Sequence, residues 1–266
     1  MSSTTLVRRV ALITGAARGI GAAAVRQFVD DGYNVVAIDW CADTQPDLVY
    51  KQATREDLAT LVRDLPDGRV IPYVADVRSA EELQAAAALA LRTWGRIDAA
   101  VAAAAVLQGG GKPVWQDNNL QLMWEINVQG VWNTIAATVP AMLAGPDPAG
   151  CRFVAIASAA GERGLYNLAN YSAVKHAVVG LVRGLAADLV GTGVTAAIVS
   201  PGSTDTALLS ATAKTYGVTT EELAEHQLLR RLLDADEVAR VVRFACSRDG
   251  AVLTGSIINA DGGFGA

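Results

Sequence analysis

Short apolar runs recur along the chain and alternate with longer stretches of helix-forming residues. The runs cover residues 10–14, 34–38, 70–75, 99–105, 153–157, 195–200 and 256–260. They are continuous rather than alternating, the pattern of strands buried on both faces. Helical stretches separate them, among them the residues from the first glycine turn through Asp31 and the segments 80–94, 118–143 and 171–190. About seven strands alternating with helices predict a three-layer, doubly wound α/β fold with a seven-stranded parallel sheet. The punctuated stretch at 145–150 only joins a helix to the next strand, so the chain is expected to form a single domain over residues 1–266.

The first strand runs straight into Gly15-Ala16-Ala17-Arg18-Gly19-Ile20-Gly21, and a helix follows. Strand, glycine turn and helix is the context of a nucleotide site. Glycines let backbone N–H groups approach a pyrophosphate, and the helix N-terminus adds partial positive charge. The second strand ends in Asp39 about twenty residues on, where a carboxylate accepts the ribose hydroxyls and repels a 2′-phosphate. That favours NAD over NADP. Taken alone, the glycines also fit an ordinary turn and Asp39 a turn residue.

Tyr171-Ser172-Ala173-Val174-Lys175, with Ser158 thirteen residues upstream, carries the candidate chemistry. Residues four apart share a helix face, so the Lys175 ammonium is expected beside the Tyr171 phenol, where it should lower the ordinary phenol pKa of about 10. Ser158 follows a buried strand at its carboxyl end, the edge at which open α/β sheets bind ligands. A tyrosine and lysine at this spacing also occur on solvated helices; the surrounding motifs give the pair its weight.

Composition narrows the partners. The chain has 52% hydrophobic and 18% charged residues and a net charge of −5, which argues against a nucleic-acid surface. Cys41, Cys151 and Cys246 are scattered and odd in number, so neither a disulfide framework nor a zinc site is expected, and no metal ligands are assigned. The apolar run after Arg8-Arg9 stops at Gly15, short of a signal peptide, and no stretch is long enough to span a membrane. A cytoplasmic protein without membrane or nucleic-acid partners is therefore expected. His176 and His226 are read as structural, and the Gly109-Gly110-Gly111-Lys112 stretch as a mobile loop rather than a phosphate site.

Together these motifs resemble those of the short-chain dehydrogenase/reductase family, in its compact Rossmann-type form, over essentially the whole chain. The resemblance implies a catalytic tetrad of Asn127, Ser158, Tyr171 and Lys175, with Asn127 holding a water next to Lys175. It implies cofactor contacts from Gly15, Arg18, Gly19, Ile20, Gly21, Asp39, Asp76, Val77, Ala103, Tyr171, Lys175, Pro201, Gly202, Thr204 and Thr206. It also implies a homotetramer. One departure is plain: the family's Asn-Asn-Ala-Gly at the fourth strand is Ala102-Ala103-Ala104-Ala105 here, which bears on the nicotinamide ribose region. That run and its companion segments resemble a subgroup associated with the redox carrier mycofactocin, whose members retain NAD and pass electrons to a partner.

Residues 204–228 are expected to form a substrate lid. Leu107, Tyr166 and Leu208, with Ser158 and Tyr171, should line an apolar pocket for a secondary alcohol or ketone on a hydrophobic skeleton, cyclic or terpenoid kinds included. An NAD-dependent alcohol dehydrogenase or ketone reductase fits best. A non-catalytic nucleotide-binding protein of the same fold stays as an alternative. A sugar-nucleotide epimerase or dehydratase needs a longer C-terminal substrate region and another glycine spacing.

Overall fold

The computed structural model describes residues 8–46, 48–117 and 119–265. Seven strands form one parallel sheet: β1 (Val10–Thr14), β2 (Asn34–Asp39), β3 (Val70–Val74), β4 (Ala99–Ala102), β5 (Arg152–Ile156), β6 (Thr195–Pro201) and β7 (Ile257–Ala260). Their order across the sheet is β3-β2-β1-β4-β5-β6-β7. The chain winds outward from β1 to β3, then crosses back to place β4 on the other side of β1. That reversal opens a crevice at the carboxyl ends of β1 and β4, the usual ligand position in such sheets.

Alternate residues along each strand enter opposite layers. Leu12, Val36, Ala100 and Phe153 face the layer of α3 (Ala80–Trp94), α5 (Gly130–Ala144) and α6 (Ala169–Asp188). Ile13, Val35, Val101 and Val154 face the layer of α1 (Gly19–Asp30), α2 (Arg55–Arg63) and α9 (Ala235–Ala245). Because both faces are covered, the strands read as unbroken apolar runs. Between β6 and α9 lie α7 (Ala207–Tyr216) and α8 (Thr220–Ala224). Among the described residues no helix is long and apolar enough to cross a membrane.

Two sequence expectations need correction. The fourth apolar run stops being strand at Ala102, because the N–H groups of Ala103 and Ala104 donate to the Thr14 hydroxyl at 3.2 and 3.3 Å and turn the chain out of the ladder. The helix expected over 118–143 begins at a position outside the described residues and is not one regular helix. It comprises α4 (Leu120–Trp124), a π-helical turn at Glu125–Gln129, and α5. Inside that turn the Asn127 side-chain amide donates at 2.9 Å to the carbonyl of Met123, the acceptor that an α-helix would offer to the Asn127 N–H. Such turns are common at functional positions.

The junction of β1 and α1 has no space to spare. Gly15 sits at φ +66°, and a Cβ there would lie 2.8 Å from the backbone of Ala104. Gly32 is also left-handed, at φ +89°, with nothing within 4 Å. Gly32→Ala should therefore show conformational strain alone, about 1–2 kcal/mol by urea denaturation. Gly15→Ala adds a backbone clash to the same strain and is expected to lose clearly more.

Candidate functional site

A cleft of about 980 Å³ opens along the carboxyl edge of the sheet. At one end stands the turn from Gly15 to Gly21. Gly15 and Gly19 have positive φ, and a side chain on Gly21 would run into the Gly15 carbonyl, so the turn is held tightly against the start of α1. No side chain caps the N-terminus of α1, and no acidic residue occupies its first turn. Its free N–H groups are thus left for an anion, with the Thr206 methyl opposite, 3.3 Å from where a Gly19 Cβ would lie. Ile20 lines the same wall.

Asp39, at the tip of β2, accepts from Ala17 N at 3.0 Å and from Cys41 N at 2.9 Å, which ties the tip to the glycine turn. Arg18 points away from Asp39, donating to the Lys51 carbonyl at 2.8 Å and to Gln52 Oε1 at 3.1 Å, with its guanidinium 5.6 Å over the Tyr50 ring. Asp76 is paired with Arg78 at 2.6 Å, and Arg78 lies 4.6 Å over Trp40. Val77, Ala103, Pro201, Gly202 and Thr204 complete this part of the wall, Thr204 donating to the Gly202 carbonyl at 3.1 Å.

Further along, Ser158, Tyr171 and Lys175 reach the cleft together. Ser158 follows β5, and its Oγ accepts from Ala160 N at 3.2 Å. Tyr171 and Lys175 stand one turn apart on α6, both buried. Lys175 Nζ donates to the Ile156 carbonyl at 3.1 Å and lies 5.7 Å from the Tyr171 ring centre. The expected lowering of the phenol by the ammonium is not what the protein alone displays. Burial pushes Tyr171 above its ordinary range, opposed by the Ser158 hydroxyl, and burial pushes Lys175 down to about 8. Desolvation, the largest influence on each group, disfavours both charged forms. Asn127 lies behind the wall. Its amide donates to Val106 and Met123 carbonyls, and its buried Oδ1 has no partner among the described residues.

The far end of the cleft is apolar. Leu165, Tyr166 and Leu168 face Leu208, Leu209 and Tyr216 of α7, and Tyr216 Oη donates at 2.6 Å to the Tyr166 carbonyl across the gap. Leu107 is not among them. It is fully buried in the core, and only its N–H reaches toward the cleft wall, donating to Tyr50 Oη at 3.3 Å. His226, read as structural, instead lines the cleft with Phe264, the rings 6.2 Å apart. Trp40, Tyr50 and Phe264 carried no sequence signal: the first two lie in a segment without periodicity. Phe264 is brought in because the Gly265 N–H bonds the His226 carbonyl at 2.8 Å.

The family model described as enoyl-(acyl carrier protein) reductase matches residues 15–265. A (-)-trans-carveol dehydrogenase of Rhodococcus erythropolis is 32% identical, with 96% of each chain covered. An uncharacterised NAD-dependent oxidoreductase of Mycobacterium tuberculosis is also 32% identical, over 96% of this chain and 95% of that protein. The crystal structure of a carveol dehydrogenase from Mycobacterium avium in complex with NAD superposes with a TM-score of 0.87 at 30% identity, covering 97% of this chain and 98% of the other. A levodione reductase superposes at 0.84 with 26% identity and 96% coverage of both. The chain belongs to the short-chain dehydrogenase/reductase family. In this short-chain dehydrogenase/reductase the tie at the end of β4 comes from Thr14, since the alanines at 102–105 offer only backbone N–H groups.

Lys175 gives the site a measurable signature. Its folded pKa of about 8 lies below the ordinary lysine value of 10.5, so the unfolded chain binds the extra proton between those values and stability rises with pH through that window. Below about pH 8 both states are protonated and the burial penalty is fully present. Lys175→Met is expected to stabilise the protein, measured without dinucleotide at pH 7, by on the order of 1–3 kcal/mol. Urea titrations from pH 7 to 10.5 should show the parent's rise flattened in the variant.

Proposed function

We propose that the protein interconverts hydrophobic secondary alcohols and their ketones, with Tyr171 as the acid and base. It is an NAD-dependent oxidoreductase of its family. The observation that carries the finer assignment is the meeting of Ser158, Tyr171 and Lys175 on the wall of the cleft that also holds the uncapped α1 N-terminus and Asp39.

The residues present fit the dinucleotide. Free N–H groups at α1 suit a pyrophosphate, and the Asp39 oxygens keep lone pairs for ribose hydroxyls beyond the two backbone bonds they accept. Gly15, Arg18, Gly19, Ile20 and Gly21 would hold the phosphate end, Asp76 and Val77 the adenine end, and Ala103, Pro201, Gly202, Thr204 and Thr206 the nicotinamide end. When bound, NAD supplies the nicotinamide carbon that takes up or returns the hydride.

Ser158 Oγ orients the substrate oxygen and stabilises charge on it. Tyr171 Oη takes the hydroxyl proton in oxidation and returns it in reduction. Lys175 Nζ, near 8 and fixed by the Ile156 carbonyl, exchanges protons close to neutral pH and passes charge to and from the phenol. Asn127, with its amide pinned and its Oδ1 open, would hold a water behind Lys175. The apolar wall of Tyr166, Leu208 and Tyr216, together with relatives named for carveol and levodione, supports a hydrophobic substrate under a lid at 204–228. Exposed Trp124 and Trp132 on α4 and α5 support a homotetramer, which light scattering would test.

A second reading has its own observation. Residues 48–54 strap one side of the cleft and are fastened on both banks: Val49 N donates to Gln108 Oε1 at 3.1 Å, Tyr50 Oη accepts from Leu107 N, and Arg18 holds Lys51 and Gln52. A strap of this kind supports slow NAD exchange, with electrons passed to a redox-carrier partner as in the mycofactocin-associated subgroup. Purification without added cofactor, followed by denaturation and mass and absorbance analysis of what is released, separates the two. Bound NAD is expected under the second reading, an empty protein under the first alone.

Tyr171→Phe is expected to lower turnover at least about 10²-fold while NADH binding by fluorescence titration stays within a few fold. Near-parental turnover on a panel of hydrophobic secondary alcohols would overturn the acid–base assignment.

A further inference from the structure

We infer that Asn170 and Asp117 form a positioning pair that fixes where the Tyr171 phenol stands; this rests on Tyr171 being the acid and base. Asn170 is buried and immediately precedes Tyr171 at the start of α6. Tyr171 N is one of the backbone donors that the first turn of a helix leaves without a partner, and Asn170 Oδ1 accepts from it at 2.7 Å. The other end of the amide faces away from α6. Asn170 Nδ2 donates to Asp117 Oδ2 at 2.7 Å and to the Gln108 carbonyl at 3.1 Å. Every hydrogen-bonding direction of the amide but one acceptor lone pair is thereby spoken for.

Asp117 is held as firmly. Its Oδ2 also accepts from Gly110 N at 3.1 Å, and its Oδ1 accepts from Asn119 N and Nδ2, both at 3.0 Å. The loop after β4 is pinned again on its far side, where Gly111 N donates to the Asn167 carbonyl at 3.0 Å. That loop has no room to slide, because a Cβ on Gly110 would lie 2.5 Å from Leu168 and one on Gly109 2.6 Å from Asn119. The glycine stretch packs between α6 and the approach to α4. The loop after β4 and the start of α6, more than fifty residues apart in sequence, meet at one side chain adjacent to the phenol.

Neither Asn170 nor Asp117 lines the cleft, so neither touches a substrate. Their effect on the reaction passes through the backbone of Tyr171, where a shift of about 1 Å costs on the order of 10²-fold in rate. Removing the pair should lower kcat while leaving KM and dinucleotide binding nearly intact, since the cofactor wall is built by other elements.

The test compares Asn170→Ala, Asn170→Asp, Asp117→Asn and the double variant Asp117→Asn/Asn170→Asp, with Tyr171→Phe alongside. Asn170→Asp sets two carboxylates against each other, and the double variant restores one donor facing one acceptor. Expected are a 10- to 100-fold fall in kcat for Asn170→Ala and Asn170→Asp, a change in KM and in NADH dissociation constant under about threefold, and partial recovery in the double variant relative to Asn170→Asp. Thermal melts establish that each variant is folded. Folded single variants with parental kcat, or a double variant no better than Asn170→Asp, overturn the inference. If Tyr171→Phe keeps its turnover, the acid–base assignment fails instead, whatever the Asn170 variants do.

Discussion

The structure depends on how closely two backbones meet at the point where the sheet reverses its strand order. β1 and β4 are hydrogen-bonded neighbours, and beyond their last paired residues the Gly15 turn presses on Ala104 with no space for a Cβ. The Thr14 hydroxyl, taking the N–H groups of Ala103 and Ala104, closes the seam. With β1 and β4 locked in this way, the start of α1 must point across the crevice, and β5 must deliver Ser158 beside it. A looser seam would leave the same residues present with their directions unspecified.

Much of this was legible in the sequence because the signals are local. Continuous apolar runs give buried strands, a glycine turn before a helix gives an anion cradle, and a four-residue spacing gives Tyr171 and Lys175 on one face of α6. The illegible parts depend on partners distant in sequence. The end of β4 is set by the hydroxyl of Thr14, and the π-helical turn around Asn127 by carbonyls on two segments. Leu107 carries the composition of a pocket residue, yet its side chain is turned into the core. His226 and Phe264 enter the cleft only because residues 226–229 pair with the stretch from Gly262 to Gly265.

The proton-handling groups also show what spacing alone does not settle. Helical periodicity brings a phenol and an amine together, but their charge states follow from solvation. With both groups buried, the phenolate and the ammonium are each disfavoured, so the chain by itself holds a neutral phenol beside an amine that gives up its proton more readily than an exposed lysine. In the proposed mechanism such a pair is raised into service by what enters the cleft, which joins proton chemistry to occupancy of the site. This is a familiar reason for groups of unusual titration to lie in clefts rather than on surfaces.

The segment around Tyr50 carries a consequence of a different kind. It is fastened to Arg18 on one bank and to Gln108 and Leu107 on the other. A gate tied on both sides acts on traffic in both directions, since the same bonds part whether a molecule arrives or departs. Strengthening the ties lengthens residence and slows loading by similar factors, and the dissociation constant hardly registers the change. Two proteins with equal affinity for a dinucleotide can thus differ widely in whether they trade it with the surrounding pool or keep it as a resident part.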